Sequence, residues 1–269
     1  PSPGHCTGLR RHDGSRLCRQ EVVKLPPDAE MSLATAIQSL SWALLLATTA
    51  IATPKRVHVF VALADNEHQG IAKVPAKIGN GDDAASNLYW GTTDGFKSVF
   101  GRSKVWKLET TEYNPTAEIL ERRSYRHTTK DCVLVAEAWR GKNIHPCLEA
   151  FFANLRGRKS NLTVFIGHNG LMDGPVAVSP PEATNTTDAI ILCCMSAGWF
   201  KPHLEALKVR PVLTTEQFMY PGSFLLRDAL DVWLRGGPRP DIRMAAARAY
   251  AANQKISVKA AAGVFTKLE

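Results

Sequence analysis

Five short runs constrain this chain most: RVHVFVAL (Arg56–Leu63), DCVLVAEA (Asp131–Ala138), LTVFI (Leu162–Ile166), DAIILC (Asp188–Cys193) and RPVLT (Arg210–Thr214). Each is rich in β-branched or apolar residues and is bounded by turn formers or charges. Most are apolar at both odd and even positions, as strands covered on both faces must be. Amphipathic stretches alternate with them. His145–Leu155 places Leu148, Phe151, Phe152 and Leu155 at helical spacing, and Gly222–Leu234 does the same with Phe224, Leu225, Ala229, Leu230 and Trp233. A short helix is expected from Ser196 to Leu207, and further helices at Asp241–Asn253 and Val258–Leu268. Strands alternating with helices imply an α/β chain, a three-layer sandwich with a mainly parallel central sheet flanked by helices. Right-handed crossovers then put the strand C-termini on one edge, where ligands bind.

The stretch 65–115 is punctuated by Gly70, Gly79, Gly81, Gly91 and Gly95 and reads as a long polar connection. Asp83–Trp90 and Gly95–Phe100 are expected to form short helical pieces within it. The charged stretch Thr116–His127 is assigned to helix. Asp82 and Asp83 form a polar turn or a cation site. The remaining domain, 53–269, is long enough to bury one sizeable core.

Residues 1–30 are rich in Pro, Arg, Gly and Asp and show no hydrophobic period. They are expected to be an unstructured extension, or to precede the true start at Met31. Residues 31–52 carry the uncharged run Ser39–Ala52, which ends in Ala50-Ile51-Ala52, the small-residue pattern of a signal-peptide cleavage site. A signal peptide, an anchor or a first helix all fit this run. The expectation is export to a periplasmic or extracellular location, with no stable membrane span after processing. In that compartment Cys132 and Cys147 could pair as a disulfide. The net charge of +8 is scattered, and no Lys/Arg block interleaves with aromatics, which argues against nucleic acid as a partner. The six cysteines have no zinc-type spacing, so neither a metal nor another cofactor is expected.

Two consecutive strands end in nucleophile chemistry. The third ends at Gly167-His168-Asn169-Gly170 and the fourth at Cys193-Cys194-Met195-Ser196-Ala197-Gly198. Parallel neighbours would bring His168 and Cys194 to one edge, where an imidazole favours the reactive thiolate and a following helix N-terminus adds positive potential. Asp173 either orients His168 or lies on the surface. Asp65 and Glu67 after the first strand, and Thr215 and Glu216 after the fifth, are weak candidates for a substrate pocket.

The motifs VFIGHNG (Val164–Gly170) and AIILCCMSAG (Ala189–Gly198) resemble those of the caspase-like fold of clan CD cysteine peptidases, which includes caspases, metacaspases, separases and CHAT-domain proteins. The order, His before Cys, is the family's. Arg210–Thr214 and Gly222-Ser223-Phe224 resemble the strand and Gly-x-Phe helix that follow there. Asn169 stands where the family has Gly. The resemblance implies Cys194 as nucleophile, His168 as base or orienting acid, an oxyanion hole built from the amides of Cys194 and of Asn169 or Gly170, and a peptide or protein substrate. A non-catalytic binding module of the same fold is the alternative. A nucleotide-binding or serine-hydrolase reading finds no GxGxxG, Walker A or GxSxG pattern.

Overall fold

The computed structural model describes residues 53–183 and 185–268, so the expected signal segment 31–52 and the extension 1–30 lie outside the described residues. The chain divides after Thr53, and Pro54–Glu269 is one compact unit. Its centre is β1 (Lys55–Ala62), whose pleat sends Val57, Val59 and Val61 to one face and Phe60 and Ala62 to the other. Parallel β4 (Cys132–Trp139) and β5 (Leu162–Ile166) flank it, and β6 (Asp188–Leu192) and β7 (Arg210–Leu213) continue outward from β5, also parallel.

On the far side of β4 lies a hairpin that the sequence pattern does not announce: β2 (Trp106–Tyr113) and β3 (Ile119–His127), both antiparallel to their neighbours. The seven-stranded order is β2-β3-β4-β1-β5-β6-β7. The helix assigned to Thr116–His127 is therefore corrected to a strand. Its charges pair across the sheet, not along a helix: Arg122 with Glu112 at 2.9 Å and Glu137 at 2.8 Å, and Arg126 with Glu109 at 2.6 Å. An antiparallel edge with one wet face tolerates such residues, and cross-strand pairs stabilise it. Buried Glu121 accepts from Trp90 Nε1 at 2.8 Å and is paired with Arg123.

Helices cover both faces. α1 (Phe96–Gly101), α4 (Phe224–Leu234), α5 (Arg239–Gln254) and α6 (Val258–Ala262) bury Phe96, Leu225, Ala246 and Ala261 on the face that carries Val59. α2 (Ile144–Arg156) and α3 (Ser196–Ala206) cover the other, where Phe151, Phe165 and Phe200 meet edge-on or tilted at 5.9–6.2 Å between ring centres. The three-layer α/β sandwich is thus present. Asp83–Trp90 forms turns, not a helix, and α6 stops at Ala262, short of the expected Leu268.

Cys132 and Cys147 are both free and buried on opposite faces of the sheet, so the expected disulfide is corrected. The residue pattern was permissive, but the sheet itself separates the two thiols. No described helix is long and apolar enough to cross a membrane.

Candidate active site at the ends of β5 and β6

The parallel strands, numbered among themselves in chain order, lie in the order second, first, third, fourth, fifth. The strand order therefore reverses between β1 and β5, and in open α/β sheets ligands bind beyond the strand C-termini at such a point. The last β5–β6 pair is Ile166 with Leu192. Two residues further along each strand stand His168 and Cys194. Gly167 makes the first step of the turn, with φ +153 and so little room that an added Cβ would lie 2.8 Å from the Ala62 carbonyl oxygen. The loops are laced together: Asn169 Nδ2 donates to the Cys194 carbonyl oxygen at 2.8 Å, and the Gly167 amide donates to Leu192 O at 3.3 Å.

His168 is 8% exposed, and its Nε2 lies 3.0 Å from Asp173 Oδ1. Asp173 Oδ2 also accepts from the Gly70 amide at 3.3 Å, which ties the loop after β1 to the imidazole. Of the two readings of Asp173, orienting residue or surface residue, the first is the one this geometry favours. Among the described residues the other ring nitrogen, Nδ1, has no hydrogen-bond partner.

Cys193 and Cys194 part company as the pleat requires. Cys193 is fully buried beneath α3, and burial pushes its thiol well above the ordinary value. Cys194 is partly exposed, and the Met219 amide donates to its sulfur at 3.4 Å, a contact that a thiolate would strengthen. Tyr89 lies beside this thiol. Burial raises its hydroxyl pKa. Tyr89 and Met219 carry no sequence signal, because neither follows a strand and both belong to loops that reach the site only through the fold.

Met195, directly after Cys194, is left-handed at φ 51 and caps α3, while its amide donates to Gln217 O at 3.0 Å. A non-glycine residue held there is strain of the kind that collects at functional turns. Ser196 and Thr215 lock this turn from below. The Thr215 amide donates to Ser196 Oγ at 2.9 Å, the Ser196 amide to Thr215 Oγ1 at 3.1 Å, and Thr215 Oγ1 to the Cys193 carbonyl.

Several expected pocket residues are placed otherwise. Thr215 is fully buried in that lock. Glu216 faces a different cavity of about 440 Å³, shared with Lys201 and Thr266, whose lining includes neither His168 nor Cys194. Asp65 is walled in between Gly81 and Gly141, and its carboxylate accepts from the amides of Glu67 and His68 at 2.9 and 3.2 Å. It organises the turn after β1, and Glu67 points to solvent. Asn169 has φ −80, and its side chain caps the 3₁₀ turn Gly170–Met172. The Gly170 amide is already taken by the His168 carbonyl at 3.1 Å, so it is removed from the expected oxyanion pair. Among the described residues no acceptor takes the amides of Asn169 or Cys194. Asp82 is held by Arg140 at 2.6 Å, whose hydrogen bond lowers its pKa, and Asp83 caps its own turn through the Ala85 amide. The pair is not a cation site, and among the described residues no group of three His, Cys, Asp or Glu side chains is arranged to hold a metal.

The class defined by fold and site is a doubly wound α/β protein with a partly exposed thiol and an Asp-tethered imidazole at adjacent strand ends. No family model, no curated protein and no solved structure matches the chain.

Proposed function

We propose that this chain is a caspase-like cysteine peptidase that cleaves peptide bonds through Cys194 and His168. One observation carries the reading: the thiol and the imidazole stand two residues beyond a registered pair of parallel strands, with Asn169 bonded across to Cys194. His168 takes the Cys194 proton, and the thiolate adds to the substrate carbonyl. The oxyanion faces the amides of Cys194 and Asn169. The C–N bond then breaks as the imidazolium protonates the leaving amine, which leaves a thioester. Water, deprotonated by His168, hydrolyses the thioester and restores the thiol. Asp173 keeps the ring oriented and supports its charge. The His-strand preceding the Cys-strand agrees with the order in the family that the motifs resemble.

A second reading, a non-catalytic binding module of this fold, is favoured by the closed Gly170 amide and by the Met219 backbone against the sulfur. Alkylation of the full chain by iodoacetamide, with mass mapping of each cysteine, separates the two. Cys194 is expected to label faster at neutral pH than glutathione does, while buried Cys132, Cys147 and Cys193 stay unlabelled. His168→Ala is expected to slow Cys194 labelling by about a hundredfold. Equal rates in the two proteins would refute the dyad and leave the binding module.

Asp173→Asn keeps the side-chain shape and removes the charge. Labelling of Cys194 is expected to fall by about tenfold, since the ring loses its anionic partner while His168 stays in place. A rate unchanged from wild type would mean that Asp173 serves only to fasten the Gly70 loop.

A further inference from the structure

Of the large apolar side chains exposed among the described residues, four belong to the turns and helix that carry this site, while Val105, Leu108, Tyr113, Ile256 and Val258 lie elsewhere in the chain. Met172 is 37% exposed, Met195 36%, Trp199 43% and Phe218 72%. Met172 closes the 3₁₀ turn that follows His168 and adjoins Asp173. Met195 follows Cys194. Trp199 lies one turn further along α3, which packs against the Met172 turn. Phe218 sits between Gln217, whose carbonyl accepts from Met195, and Met219, whose amide touches the Cys194 sulfur.

We infer that these four residues form an apolar rim that receives substrate side chains, so that the site selects peptides with bulky apolar residues beside the attacked carbonyl. The inference rests on the peptidase reading. Its occupant follows from continuity: the rim is made of the same turns that carry the nucleophile, the base and the backbone against the sulfur. Such surface costs solubility and persists where it is used. Two neighbouring carboxylates are committed elsewhere: Asp65 is enclosed by Gly81 and Gly141, and Asp173 is held by His168 and Gly70. The left-handed Met195 is held by the Gln217 carbonyl, and this link joins the Cys194 turn to the Phe218 segment.

The test is a set of peptidyl acyloxymethyl ketones ending in Leu, Phe, Asp or Arg, each compared with iodoacetamide for the rate of Cys194 labelling in the full chain. The Leu and Phe probes are expected to exceed the Asp and Arg probes by about tenfold or more. Trp199→Ser and Phe218→Ser, both surface changes, are expected to erase most of that preference, read as the ratio of peptidyl to iodoacetamide rates. Ratios alike for all four probes, or a preference for Leu and Phe that survives both substitutions, would overturn the inference. Alike ratios with a wild-type dimer that Phe218→Ser dissociates would assign the rim to self-association instead. Iodoacetamide rates that ignore His168→Ala would refute the peptidase reading separately, whatever the ratios show.

Discussion

Cys194→Ala is expected to abolish peptide cleavage and all covalent labelling at the site, while the protein keeps its fold. The sulfur is partly exposed, and its contacts are the backbone of Met219 at 3.4 and 3.6 Å. Removing it should cost less than about 1 kcal/mol of stability. Turnover should fall by about a thousandfold or more, since among the described residues the other three thiols are buried. Cys193→Ala is expected to do the reverse. That thiol is packed at zero exposure with Ile191 and Phe200 beneath α3, so truncation should cost about 1–2 kcal/mol while most activity survives. Steady-state cleavage and thermal melts of both variants decide the matter. Activity lost with Cys193 and kept without Cys194 would overturn the assignment of Cys194 as nucleophile.

The parallel strands were legible because each must be apolar on both faces. LTVFI is a strand over the residues expected, and DAIILC and RPVLT each overrun theirs by one residue. The β2–β3 hairpin was not legible, since its charged residues fit a helix as readily as a wet-faced strand. What distinguishes the two is the set of partners on other strands, Glu109, Glu112 and Glu137, which single-chain periodicity does not contain. The site was half legible. The placement of His168 and Cys194 at neighbouring strand ends could be read from the sequence, because parallel register carries equal offsets to the same sheet edge. Thr215 and Glu216 could not be separated in this way: adjacent residues leave a strand in opposite directions, and one is sealed under the Cys193 turn while the other faces a different cavity. Tyr89 and Met219 arrive from loops whose paths are set by side-chain anchors such as Asn87, which bonds both backbone groups of Ala64.

Gly167→Ala should be among the most damaging single-methyl changes in the chain, because it acts on fold and site together. The residue sits at φ +153, a region L side chains rarely adopt, and its new Cβ would meet the Ala62 carbonyl oxygen at 2.8 Å and Ala62 Cβ at 3.2 Å. That carbonyl belongs to the central strand and has no freedom to turn aside. Backbone strain and overpacking together should cost about 2–4 kcal/mol. Relief requires the end of β5 to draw away from β1, and His168, the next residue, moves with it. Cys194 alkylation should therefore slow toward the His168→Ala rate even in protein that remains folded. Gly170→Ala is the matched control. There the new Cβ would meet side-chain atoms, Ile144 Cγ1 at 2.8 Å, Ile144 Cδ1 at 2.9 Å and Leu148 Cδ1 at 3.0 Å, which can shift more readily than the backbone carbonyl of a central strand. Its cost should stay below about 1.5 kcal/mol, with the labelling rate nearly kept. Urea titrations of both variants, paired with alkylation rates in buffer, read the two effects separately. Equal destabilisation by the two would mean that the β1–β5 junction yields as readily as a side chain, and would remove the structural reason for a glycine immediately before the histidine.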